Sequence, residues 1–115
     1  MPESEPMAWL LREGQVLASL EVADSFLARN RGLLGRTGFE GAMLLTHTRG
    51  VHSVGLRFKV DVAFLDADLV VLDTVTLRRY SLALPRLRTR SVLEAQAGAF
   101  ERWDLKAGDR LEIQK

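Results

Sequence analysis

His47, His52, Asp61 and Glu94 have the widest chemical scope of any side chains in this sequence. There is no cysteine, which excludes disulfides, thiolate nucleophiles and cysteine-ligated zinc or iron–sulfur sites and leaves histidine and carboxylate as the strong metal ligands. A separation of five places His47 and His52 on opposite faces of an extended segment unless Gly50 turns the chain. A two-histidine, two-carboxylate site with Asp61 and Glu94 is conceivable, but no tight ligand spacing supports it, so neither metal nor cofactor is expected. His52 followed by Ser53 invites a hydrolase reading. Adjacent strand residues point to opposite faces, however, and the glycines of a nucleophile elbow are missing.

Asp61 and Glu94 each interrupt an otherwise apolar strand. A buried carboxylate is expensive unless paired, and Arg31, Arg36 and Arg57 are available partners. Two outcomes stay open. Either these acids form structural ion pairs that knit a helix to a sheet, or they floor a small polar pocket built from His52, Arg57 and Asp61 with Arg36 and Glu94.

Positive charge collects in the middle of the chain. From Arg29 to Arg90 there are eleven Lys and Arg against five Asp and Glu, while the net charge of the whole is +1. Arg78, Arg79, Arg86, Arg88 and Arg90 form the densest basic stretch, and arginine pairs with phosphate through two parallel donors. Only Tyr80 could stack a base there, and no nucleic-acid motif accompanies it. A charge-protected edge is therefore preferred over a polyanion or protein interaction module. Gly32-Leu33-Leu34-Gly35-Arg36 lacks the lysine and hydroxyl pattern of a phosphate loop and follows a helical pattern, so it reads as a helix C-cap with surface arginines.

The elements that must hold these groups are mostly strands. Residues 7–22 alternate around Glu13-Gly14 as a hairpin. After Asp24 a helical arc of Phe26, Leu27, Leu33 and Leu34 ends near Gly35 or Gly38. Strands follow at Ala42–Leu45, at Lys59–Leu65 with Asp61 facing away from Val60, Val62 and Phe64, at Leu69–Leu77 and at Ser91–Ala97. Val51–Phe58 is extended but irregular, and Tyr80–Arg90 reads as an exposed loop or ragged edge ribbon. Gly98–Trp103 offers one or two helical turns, and Lys106–Asp109 turns into a last strand with Leu111 and Ile113 inward.

At 115 residues, with 47% hydrophobic and 27% charged residues, the chain fits one domain with one core, with residues 1–6 as a flexible N-terminus. Met1–Pro6 carries acids and no basic or apolar leader pattern, and no apolar run approaches the ~20 residues of a membrane span. A cytoplasmic location and no membrane partner are expected.

Five ordered blocks carry a resemblance. They are Arg31–Arg36, Ala42–Leu45, His52–Asp66, Val92–Gly98 and Lys106–Asp109, and together they are similar to the prokaryotic domain-of-unknown-function family 192 over about residues 16–113. The resemblance implies a compact, mostly antiparallel β-barrel-like domain with an early helix, and the family has no established activity. Val54, Leu56 and Lys59 depart from the aromatic, methionine and proline usual at those positions, whereas Gly32, Asp61, Glu94, Gly108 and Asp109 match.

The combined expectation is a mainly β (α+β) domain: an antiparallel barrel-like or sandwich sheet with one helix in the N-terminal half and a short helical turn near the C-terminus. Its expected role is non-enzymatic binding of a small anionic or polar ligand.

Overall fold

Glu13 and Gly14 both adopt positive φ, 53° and 78°, which is the backbone twist a two-residue hairpin turn requires. They join strands β1 (Ala8–Arg12) and β2 (Gln15–Ala23), as the alternation predicts. This computed structural model describes residues 8–23, 40–47, 51–52, 58–78, 82–83 and 86–115, with 51–52 and 82–83 as backbone only. The helix expected after Asp24, together with Arg31, Gly32, Arg36 and Arg57, lies outside the described residues.

The hairpin departs from its sequence pattern in one respect. Leu10 pairs with Ala18 but Leu11 pairs with Val16, so Leu17 is an extra residue in β2. Such a bulge turns the flanking side chains over. Leu20 and Val22 are therefore buried while Val16, on the other side of the bulge, faces outward at 57% exposure; on β1, Ala8 and Leu10 are buried and Trp9 is 50% exposed.

Seven strands form one mixed sheet. Beyond the hairpin they are β3 (Ala42–Thr46), β5 (Val60–Leu65), β6 (Val71–Leu77), β8 (Ser91–Gln96) and β9 (Glu112–Gln114), in the order β6-β5-β8-β3-β2-β1-β9. β4 (Val51–His52) and β7 (Leu82–Ala83) pair with each other as a separate ribbon, so the irregular stretch and the ragged edge segment meet. The expectation of a purely antiparallel sheet is corrected at one place, where β2 and β3 run parallel from Leu20↔Ala42 to Ala23↔Leu45. Parallel neighbours need a long crossover, and the connection over residues 24–41 is long enough to make one. Gly41 sits at this junction with φ +81°. A Cβ there would lie 2.7 Å from the carbonyl oxygen of Ser19, so a side chain would push β3 off β2.

The barrel-like expectation is corrected as well, because the sheet is not closed along its length. Its outer strands approach at one end only, through the bridge Val70↔Arg110. There the Val71 amide donates to Asp109 O at 2.8 Å, Gly108 to Val71 O at 2.8 Å and Leu111 to Leu69 O at 2.9 Å. Gly108, at φ +97°, makes the turn that permits this meeting.

Both faces of the sheet are apolar. One face joins Leu10, Leu20, Leu44, Leu65 and Leu93 to the short helix α1 (Ala99–Trp103) through Ala99 and Phe100. The other joins Met43, Leu45, Val60, Val62, Phe64 and Val92. All six residues of β5 are buried, as are five of the six in β8. Two-sided burial is why these central strands read as continuous apolar runs, and why an acid within either is conspicuous.

Candidate functional site

Helix α1 has no side-chain cap of its own, since its N-cap is Gly98 at φ 100°. Asp61 supplies one from β5. Its Oδ2 accepts the Gly98 and Phe100 amides at 2.9 and 3.1 Å, and its Oδ1 accepts the Thr76 hydroxyl at 2.7 Å. A carboxylate is well suited to these exposed amides, which carry the positive end of the helix dipole. The far end of α1 is held in a similar way by Arg12 of β1. Its guanidinium donates to Trp103 O at 2.6 Å and Asp104 O at 3.2 Å, and pairs with Asp109 at 3.0 Å. Asp61 also borders a cleft of about 410 Å³ with Thr74, Thr76, Glu101 and Asp104.

Glu94 has different surroundings. It lies on β8 opposite Met43 of β3 and Val62 of β5, on the face that carries Val92, and is 3% exposed. No described group donates a hydrogen bond to its carboxyl. Burial raises its pKa from 4.5 to about 7, because the charged form cannot be solvated there. Asp61 is paired with Ala95, next to Glu94 in the chain, yet the two carboxyls project from opposite faces of the sheet. They do not form a two-acid site.

None of the remaining sequence candidates joins either acid among the described residues. His52 contributes backbone to the β4–β7 ribbon, pairing with Leu82. Arg36, Arg57 and Arg79 lie outside the described residues, and Arg78 is exposed just beyond β6. Arg86 is engaged rather than presented: it pairs with Asp73 at 3.0 Å, and its guanidinium lies 4.5 Å from the centre of the Phe64 ring. Arg88 and Arg90 point to solvent and share a cleft with His47. Arg12 and Thr89 were not among the sequence candidates. Arg12 gave no signal beyond a charge just before a turn, and Thr89 was hidden among arginines. Among the described residues, no group of three or more His, Asp or Glu could hold a metal ion, and no helix is long and apolar enough to cross a membrane.

Comparisons with known proteins agree with this architecture. A UPF0127 protein of Pyrococcus horikoshii is 29% identical over 115 residues, covering 96% of this chain and 94% of its own. One from Pyrococcus furiosus is 26% identical, covering 85% of this chain and 89% of its own. A solved protein of unknown function from Novosphingobium aromaticivorans superposes with a TM-score of 0.75 at 21% identity, covering 92% of this chain and 83% of its own. A putative transcription regulator from Sinorhizobium meliloti does so with a TM-score of 0.73 at 25% identity, covering 93% and 92%. The DUF192 profile, described as an uncharacterized ACR, matches residues 9–113 and so reaches back through the hairpin to Trp9. The chain belongs to the DUF192 family.

Proposed function

We propose that this domain is a non-enzymatic binder of a small polar or anionic ligand, received on the Glu94 face of its sheet. The observation that carries the reading is a carboxyl 3% exposed, flanked by Met43 and Val62 and left without a donor among the described residues. Burial holds this group largely neutral below pH about 7. A neutral carboxyl in an apolar setting can donate its own O–H to a ligand oxygen, which an ionised one cannot. His52, Arg57 and Arg36 are carried over from the sequence as the proposed further donors to the ligand. Asp61 is not, because its two oxygens already accept three hydrogen bonds that hold α1.

The test is a thermal-shift screen of small carboxylates and carbonyl compounds at pH 6 and pH 8. Binders should stabilise the protein more at pH 6, and Glu94→Leu should abolish their effect. Glu94→Gln, which keeps a donor, should bind at both pH values alike. Hits indifferent to pH and to both substitutions would place the site elsewhere.

A further inference from the structure

Where β3 ends and the chain approaches β8, a cleft of about 580 Å³ is lined by His47, Leu87, Arg88, Thr89 and Arg90. It lies past the opposite end of β8 from Gln96, and no acid lines it among the described residues. The charge balance differs sharply from that one turn earlier. Arg86 is neutralised by Asp73, whereas neither Arg88 nor Arg90 has a carboxylate partner among the described residues. Thr89 is 1% exposed, and its hydroxyl makes no hydrogen bond among the described residues. A buried hydroxyl without a partner is destabilising, and a bound ligand is one of the few things that accounts for such a group in a native protein.

The backbone is arranged toward the same place. Thr89 N donates to Arg86 O at 3.1 Å, and Arg88 has φ 72° at the third position of that turn, where glycine or asparagine is usual. His47, across the cleft, has φ 54°. Two side-chain-bearing residues in the left-handed region thus meet at one concavity, and held conformations of this kind cluster at binding sites.

We propose that this cleft binds the phosphate group of a small phosphomonoester. Two guanidiniums supply paired donors to a tetrahedral dianion, with His47 and the Thr89 hydroxyl completing the shell. Leu87, 84% exposed at the rim, packs against the organic part. A carboxylate has one charge and two oxygens and uses fewer of these donors. The site goes beyond the Glu94 reading and is independent of it.

Isothermal titration with phenyl phosphate, inorganic phosphate and benzoate in low-salt buffer tests the proposal. Phenyl phosphate should bind with one-to-one stoichiometry, inorganic phosphate should compete more weakly, and benzoate should bind least. Arg88→Ala and Arg90→Ala should each weaken phenyl phosphate about tenfold or more, the loss expected for a charge-assisted hydrogen bond. Leu87→Ala should weaken phenyl phosphate and leave inorganic phosphate unchanged. Thr89→Val should raise the melting temperature of the free protein while weakening phosphate binding several-fold, a split that a purely structural threonine would not give. Arg88→Lys and Arg90→Lys keep the charge and lose the fork, so they should weaken binding by less and serve if an alanine variant misfolds. Glu94→Gln should leave phosphate affinity unchanged, which separates this site from the one on the Glu94 face. Three outcomes would overturn the proposal: no phenyl phosphate binding at 10-millimolar scale, affinity indifferent to Arg88 and Arg90, or arginine-dependent binding confined to duplex DNA or heparin.

Discussion

Asp61 and Glu94 sit on neighbouring strands, at 4% and 3% exposure, and differ in almost everything else. Asp61 accepts a hydroxyl and two amides, and through them fixes where α1 begins. Glu94 faces methionine and valine, and burial raises its pKa to about 7. The lesson is that burial alone does not give an acid its role. A carboxyl with every partner inside the fold is part of the framework, and one with no partner among the described residues is available for something else.

The largest expected effect breaks the Asp61 side of this contrast. Asp61→Ala strands two amides and a hydroxyl and leaves α1 uncapped, which should cost roughly 4 kcal/mol in urea denaturation. A loss below about 1 kcal/mol would show that water replaces the carboxylate and that Asp61 is as free as Glu94.

Glu94 should behave in the opposite sense, with a pH signature. Its pKa in the folded state, about 7, lies above that of the unfolded chain, so the folded protein holds an extra proton between about pH 4.5 and 7. Stability from this group is therefore complete below pH 4.5, falls as pH rises, and levels off above about 7, with about 3 kcal/mol lost in all. Glu94→Gln removes that dependence. It should be nearly neutral at pH 4 and stabilising by up to about 3 kcal/mol at pH 8, read from paired denaturation curves. A flat wild-type profile would mean that Glu94 has a charge partner, and the contrast with Asp61 would collapse.

Arg12 repeats the Asp61 arrangement at the other end of α1. Arg12→Ala removes donors to two helix-terminal carbonyls and an ion pair 23% and 19% exposed, and should cost about 2 kcal/mol. Hydrogen exchange at the Leu105 amide, which donates to Phe100 O, should accelerate in step.

Much of this framework was readable from residue order. The hairpin at Glu13-Gly14, strands β3, β5 and β8, the α1 turn and the orientation of Asp61 follow from periodicity and turn chemistry, which act over a few residues. What escaped depends on long-range partners. The parallel β2–β3 pairing is set by what a crossover can reach, and the outward turn of Val16 in β2 is set by a single inserted residue, Leu17. Candidate residues were legible as types but not as sites. Alternation marks Asp61 and Glu94 as unusual without saying that their faces are opposed, because their relative facing is decided by the register Asp61↔Ala95. Likewise a run of arginines does not reveal that Asp73 and Phe64 occupy Arg86 while Arg88 and Arg90 are left outward.

The finest division lies within the Asp61 shell itself. Thr76 is solvent-exposed, whereas the two amides that Asp61 accepts belong to the start of α1. If the amides are what make Asp61 structural, Thr76→Val should cost only about 1 kcal/mol, since water can take the place of an exposed hydroxyl. The Asp61→Ala, Thr76→Val double variant should then be only slightly less stable than Asp61→Ala alone, because the hydroxyl has nothing left to donate to. Full additivity in that cycle would mean that Thr76 contributes through β-sheet packing and not through Asp61. The acid would then rest on its two helix amides alone, which brings it one step closer to Glu94.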